Sequence, residues 1–487
     1  MNDKRMSGNK VIELKCEGHT AEYELNNIIN LFIPYIKDGY SLKTCYQDKQ
    51  IDVQLFLDGQ YVAGVNQAVK WAGDELADKK NIKEALKRGT YQILSELTGK
   101  KMPWGILTGI RPTKIVHDYL NKGLSQDYIK SILKNDYYVS EPKIALMIKV
   151  AKAELEILSK NKEDEISLYI GIPFCPTRCV YCSFTAYSLE TKGHLVDAYL
   201  DALCKEIDYV AEVKSHVPIR SLYIGGGTPT SLNEAQLLRL LAHVKQRFKL
   251  ADIEEYTVEA GRPDTITEEK LRIMKQMGVN RISINPQSMN QKTLNLIGRS
   301  HTTEAIKQVY YKAREIGHDT INMDMIIGLP DESVKDVENT LAELRTLNPE
   351  NITVHTMAVK RASRLKEQPK DYGLTQAEHI EKMLNLCEET MEAMGLKPYY
   401  MYRQKNMLGN FENVGYAVSD KECVYNVEIM EEKQTIIALG AGAITKMVYQ
   451  KGERLDRVAN VKSLEDYISR IDEMIDRKKQ GFIKYDE

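Results

Sequence analysis

Between Ile166 and Ala358 six short apolar runs alternate with helical stretches, and this alternation constrains the fold more than any other feature of the chain. The runs are ISLYIGIP (166–173), SLYIGGG (221–227), EYTVEAG (255–261), RISINPQ (281–287), INMDMIIG (321–328) and NITVHTMA (351–358). Helical text follows each, near 192–214, 233–248, 267–277, through 316, 333–347 and 375–394. Strands that alternate with helices pair in parallel through right-handed crossovers. The expectation is an α/β protein built on a complete or partial (β/α)6 barrel, with a flat doubly wound sheet as the other arrangement. In both, chemistry belongs at the C-terminal ends of the strands.

A chain of 487 residues is too long for that barrel alone and predicts two to four domains. Residues 1–160 read as an N-terminal α+β domain. VIELKC, SLKTCYQ, IDVQLFL and YVAGV are strand-like, and the text turns helical from about Asp74. The helical pattern is broken by the loop MPWGILTGIRPTKI (102–115) and ends with SEPKIALMIKVAKAELEILSK before the charged linker KNKEDE. Residues 161–365 form the barrel. Residues 366–487 form a C-terminal extension at its mouth, with strand-like QTIIALGAGAITKMVYQ and a charged helical end.

Lys plus Arg number 67 against 69 Asp plus Glu, so the net charge of -2 gives no electrostatic reason for a nucleic-acid partner. No signal-like apolar segment opens the chain, and no run of 18 or more apolar residues occurs. The expectation is a soluble, cytoplasmic protein without a membrane span.

Of eight cysteines, Cys16, Cys45, Cys204, Cys387 and Cys423 are scattered, as buried reduced thiols are. Cys175, Cys179 and Cys182 instead cluster as C-x-x-x-C-x-x-C in GIPFCPTRCVYCSF. Three thiolates on one loop suit three corners of a cubane iron–sulfur cluster and leave one iron open. A zinc site would lack its fourth ligand, because His194 is twelve residues beyond Cys182 in helical text.

This cluster, with aromatic Tyr181 before its third Cys, resembles the signature of the radical S-adenosyl-L-methionine (SAM) enzymes. The resemblance implies a 4Fe-4S cluster whose open iron chelates the amino and carboxylate groups of SAM. One-electron cleavage of SAM then yields a 5′-deoxyadenosyl radical that abstracts hydrogen. It also implies roles for polar residues at the strand ends. GGGTPT resembles the glycine-rich SAM motif, so Gly226, Gly227 and Thr228 are expected to contact the methionine part. A glycine run is also what a tight turn requires. Glu259 is expected at SAM, and Gln287, Arg299 and Asp324 around it, with Asp324 on a ribose hydroxyl. Read structurally, Glu259 caps a helix or pairs with Arg262, and Asp324, costly within an apolar strand, pairs with Arg299.

LYIGIPFCPTRCVYCSF, GGGTPT, SINPQSMN, GRSH and MDMIIGLP together resemble the oxygen-independent coproporphyrinogen III dehydrogenase family. The long N-terminal region with WGILTGIRPTKI resembles its HemZ-type branch. Tyr169, six residues before Cys175, joins the expected SAM contacts. The resemblance implies oxidative decarboxylation of coproporphyrinogen III to protoporphyrinogen IX in heme biosynthesis. It further implies a tetrapyrrole substrate and a flavodoxin- or ferredoxin-type electron donor. Arg361, Arg364 and Arg403 stand where cations for a tetra-acid are expected, or are solvated surface charges. Trp104, Arg111 and Lys114 touch substrate or pack against the barrel. The chain departs from the biosynthetic pattern at Gly171, where a His is usual, and at Cys182, Ser183 and Phe184, where C-x-C is usual and the second Cys is absent. YNVEIM (425–430) keeps only Asn426 of the H-N-x-x-Y-W heme motif of the related chaperones. Two alternatives follow. One is a radical SAM enzyme acting on another tetrapyrrole or transferring methyl groups. The other is a non-enzymatic heme-binding or delivery protein.

Overall fold

The computed structural model describes residues 12–182, 186–358, 377–404, 410–449 and 454–486. Ser183, Phe184, Arg361 and Arg364 lie outside them. The chain divides into two compact units, 1–148 and 149–487.

The first unit carries a sheet of β1 (Ile12–Glu17), β2 (Tyr40–Gln47), β3 (Gln50–Leu57) and β4 (Gln60–Ala68), in that order. β1 and β2 run parallel, which requires a crossover, and the helix Glu22–Phe32 supplies it. That helix was not anticipated above. Leu25, Ile28, Ile29 and Phe32 recur at helical spacing and are all buried, worth roughly 1.5–3 kcal/mol for each large side chain. β2, β3 and β4 join by tight hairpins at Asp48–Lys49 and Asp58–Gly59, all four at positive φ. The helix Glu75–Thr98 starts at Asp74, whose carboxylate accepts from the Ala77 amide (2.8 Å). Trp104 is buried, and Lys114 is exposed.

The second unit opens with β5 (Ile166–Ile172), followed by a short parallel pair, β6 (Phe174–Cys175) and β7 (Tyr187–Ser188). Next come β8 (Ile219–Gly226), β9 (Glu255–Glu259), β10 (Arg281–Ser283), β11 (Ile321–Ile327) and β12 (Asn351–Thr356). β5, β8, β9, β10, β11 and β12 pair in parallel in this order, with helices between them. This is a partial (β/α)6 barrel. β10 ends four residues before Gln287, because Gln287 takes φ +67° and then forms a single bridge to Met325.

The remaining strands extend the same sheet at both edges. β13 (Lys397–Tyr402) and β14 (Asn413–Ala417) lie beyond β12, and β14 pairs antiparallel with it. β15 (Ile436–Leu439) pairs parallel with β5, and β16 (Ile444–Tyr449) and β17 (Arg454–Ala459) follow outward. The core is the apolar interior of these strands: Leu168, Ile170, Leu222, Ile224, Val258, Ile282, Met323 and Ile352 are wholly buried. No disulfide joins the eight cysteines. Cys204, Cys387 and Cys423 are buried, and Cys16 and Cys45 are partly exposed. No described helix is long and apolar enough to cross a membrane.

Candidate active site

Cys175 ends β6, and Cys179 and Cys182 lie on the loop that follows it. The turn is fixed by backbone: the Cys182 amide bonds the Cys179 carbonyl (3.2 Å) and the Val180 amide the Ile297 carbonyl (3.2 Å). The Cys175 sulfur sits 3.4 Å from the Thr228 hydroxyl. Arg262 donates to the Cys179 sulfur (3.8 Å) and to the carbonyl (3.2 Å) and hydroxyl (3.0 Å) of Thr177. Burial pushes the Cys175 thiol up to about 11, reinforced by the neighbouring thiols of Cys182 and Cys179 and opposed by Thr228 and Arg262. Such thiols ionise readily only against a bound cation.

The glycine run after β8 is required by close approach. A Cβ at Gly225 would lie 2.8 Å from the Glu259 carboxyl carbon, and one at Gly227 would lie 2.6 Å from the Phe174 carbonyl. Gly226 takes φ +111°, and its amide donates to Glu259 (3.2 Å). Glu259 also accepts from the Tyr223 hydroxyl. Among the described residues it meets no arginine, and the pairing with Arg262 does not occur: Arg262 grips Asp264 with two nitrogens (3.0 and 2.7 Å). Burial pushes the Glu259 carboxyl up to about 7, with Asp324 adding to the rise and the Tyr223 and Gly226 hydrogen bonds opposing it.

Asp324 accepts from the side-chain amides of Asn285 (2.8 Å) and Asn322 (2.7 Å), and His355 Nε2 stands 3.7 Å from its Oδ2. Burial pushes this carboxyl up, but His355, Asn322 and Thr353 outweigh it and hold Asp324 below the usual carboxylate range. Arg299 does not pair with Asp324. It donates to the Gly261 (3.0 Å) and Asn285 (3.1 Å) carbonyls and to the Tyr181 hydroxyl (3.2 Å). Tyr169 lies in a near-parallel stack with Tyr223 and Tyr425, the latter two 4.3 Å apart.

These groups enclose a cavity of about 320 Å³. Tyr181, Cys182, Glu259, Gln287 and Asp324 line it, and Thr228, Gly226, Arg299 and Tyr169 support that wall from behind through the contacts above. Tyr400, Tyr402, Asn413 and Asn426, from the C-terminal strands and the helix Val424–Glu431, complete the lining. Tyr223, His355 and Tyr402 were missed in the sequence, since single polar residues within apolar strands follow no spacing. Arg403 is buried rather than a solvated lip cation. It donates to the Asn410 carbonyl (2.7 Å), and burial, opposed by Glu412, lowers it to about 10.

The donor set suits an iron–sulfur cluster with SAM. Three thiols share one turn, and the Gln287 Oε1 is buried beside the cavity without a partner. Among the described residues, Glu259 holds a carboxyl with no cation beside it.

A partial barrel with three thiols at its mouth defines a class, and the comparisons agree. A family model described as the radical SAM superfamily matches residues 169–344. The oxygen-independent coproporphyrinogen-III oxidase-like protein HemZ of Bacillus subtilis is 39% identical across 97% of this chain and 98% of its own. The chain belongs to the radical SAM superfamily and, within it, to the HemZ-like branch. The heme chaperone HemW of the same organism is 32% identical across 62% of this chain and 76% of its own. The solved coproporphyrinogen III oxidase HemN of Escherichia coli is 27% identical, with a TM-score of 0.53, covering 66% of this chain and 73% of that one. Membership implies a 4Fe-4S cluster and SAM.

Proposed function

We propose that this chain carries out oxygen-independent oxidative decarboxylation of coproporphyrinogen III to protoporphyrinogen IX. The observation that carries this reading is the mixed lining of the cavity. It joins residues suited to the cofactors with an aromatic and amide surface from the C-terminal part of the chain. Such a surface suits the pyrrole faces and polar edge of a tetrapyrrole. The full-length likeness to a protein named as oxidase-like, and the partial likeness to a solved coproporphyrinogen III oxidase, support it.

Cys175, Cys179 and Cys182 would hold the cluster. Gly226, Gly227, Thr228 and Glu259 would take the amino-acid end of SAM, Tyr181 its adenosyl part, and Gln287 and Asp324 its ribose. Arg299 fixes Tyr181, and Tyr169 packs beneath Gly226. The chemistry supplied by that pair when bound is one-electron cleavage of SAM to a hydrogen-abstracting radical. Glu259, ionised against an ammonium group, would regain the partner its burial denies it. Asp324, already ionised, offers its oxygens as acceptors. Each of two propionates loses a β-hydrogen atom, carbon dioxide and one electron, leaving a vinyl group. The electron goes to a one-electron carrier.

Anaerobic incubation with SAM, a strong reductant and coproporphyrinogen III tests this. The expected products are 5′-deoxyadenosine and protoporphyrinogen IX, read by mass spectrometry. Formation of 5′-deoxyadenosine without a vinyl product overturns the substrate. A second reading, the same radical chemistry on another tetrapyrrole or a methyl transfer, is favoured by Gly171. That residue brings no side chain to the base of the cluster loop. Its carbonyl is taken by the Tyr199 hydroxyl (2.5 Å), and a Cβ at facing Gly440 would lie 2.7 Å from the same oxygen. Mass spectrometry of the products separates the two.

A further inference from the structure

We propose that the Tyr402 hydroxyl, held by His355 and through it by Asp324, is the hydrogen-bond donor that receives a carboxylate of the substrate. The inference rests on the tetrapyrrole reading above and assigns the part of the cavity that meets a propionate.

Among the described residues lining the cavity, the acids are Glu259 and Asp324, and His355 is the one side chain able to carry positive charge. Those described residues include no lysine or arginine, so a carboxylate that reaches them is met by neutral donors or by the imidazole. β12 places His355 and β13 places Tyr402 on the same side of the cavity. The Tyr402 hydroxyl lies 3.3 Å from His355 Nδ1, and His355 Nε2 faces Asp324 at ion-pair distance, 3.7 Å. Tyr402 is held flat by Tyr400, 6.1 Å away at 17°. Asp324 is fixed in turn by Asn285 and Asn322.

The chemistry of this row is directional. A phenol oxygen accepts one hydrogen bond and donates another. When Nδ1 carries the proton, the imidazole donates to the Tyr402 oxygen, and the Tyr402 O–H then turns away from His355 into the cavity. Glu259 accepts instead from Tyr223 and the Gly226 amide.

The test uses the full-length protein, reconstituted anaerobically with its cluster and given SAM. Its probes are coproporphyrin III, the fluorescent oxidised tetracarboxylate, and its tetramethyl ester. Affinities are read by fluorescence quenching. The wild type is expected to prefer the acid. Tyr402→Phe should reduce that preference by about tenfold or more, the worth of a hydrogen bond to a charged group, with affinity for the ester unchanged. His355→Gln should shift the same ratio in the same direction. An unchanged ester affinity also reports that the variants are folded. Wild-type preference retained by both variants overturns the inference and leaves the tetrapyrrole reading standing. Loss of both ligands in a variant that keeps its cluster absorption overturns it as well, because the residue would then shape the cavity rather than read a carboxylate. A wild type that binds neither porphyrin overturns the tetrapyrrole reading itself.

Discussion

The two ends of the barrel bury charge in opposite ways. At the N-terminal ends of the strands, Arg220 meets Glu254 (2.8 Å) and Glu428 (3.5 Å), and Arg281 meets Glu255 (3.2 Å). Ser167 and Ser221 donate to Glu428 (2.5 and 3.0 Å), and Glu255 accepts from the Val424 amide (2.8 Å). Every acid in that network has a cation of the chain beside it. At the C-terminal ends, Glu259 is partly open to the cavity and has, among the described residues, only a phenol and one amide, and Gln287 leaves its Oε1 without a partner. Burial pushes Glu428 and Glu259 to about the same value, 7. The lesson lies in the partners. Where the chain supplies the opposite charge, the network is structure. Where it does not, the charge waits for a ligand.

Four substitutions test this contrast. Cys179→Ala at the C-terminal end should abolish cluster assembly and lower 5′-deoxyadenosine formation beyond the ~10–100-fold that disturbing a ligand's outer partners costs. Iron and sulfide content with visible absorption would show it, and wild-type content in the variant would break the assignment. Arg220→Met at the opposite end should cost about 3–5 kcal/mol in denaturant unfolding, because it leaves buried Glu428 without its cation. The folded fraction should still take up the cluster. Glu259→Gln should weaken SAM binding about tenfold in equilibrium titration, with little loss of fold. Ser221→Ala should cost about 1 kcal/mol of stability and leave SAM binding unchanged. A larger effect on SAM than on unfolding would erase the contrast.

The same groups set a pH dependence. Glu259, Glu428 and Glu332 are raised to about 7 from an ordinary value of 4.5, with burial the first cause in each. The folded state therefore holds protons that the unfolded chain releases. Stability of the cofactor-free protein should fall as pH climbs from 4.5 to about 7 and level off above. Thermal melts across that range would show the slope, and Glu259→Gln should flatten part of it.

The barrel strands were legible because parallel strands buried on both faces leave unbroken apolar runs. β10 was the exception. Its text runs to Gln287, but that residue's left-handed backbone bends the chain out of the strand and aims its side chain at the cavity. The first-unit helix lay hidden between strand signals although its apolar spacing was present. The destinations of β14 and β15 were not legible, because which sheet edge a strand joins is decided by edges made far away in sequence. The site followed the same rule. Residues in spaced motifs, such as the cysteines, the glycine run, Glu259 and Asp324, could be named. His355 and Tyr402 acquire meaning only once β12 and β13 bring them together. Arg403 read as a surface charge because burial cannot be seen in a polar loop.

The sheet's first strand has a further consequence for how the protein comes to exist. β5 pairs on one side with β8, made soon after it, and on the other with β15, made near the end of the described chain. During synthesis the nascent barrel therefore leaves the ribosome with one side of β5 bare, and β12 likewise waits for β14. A ribosome that stalls before Ile436 would release a strand edge ready to pair with another chain, so the cell's quality control faces this protein at its most adhesive until β15 emerges.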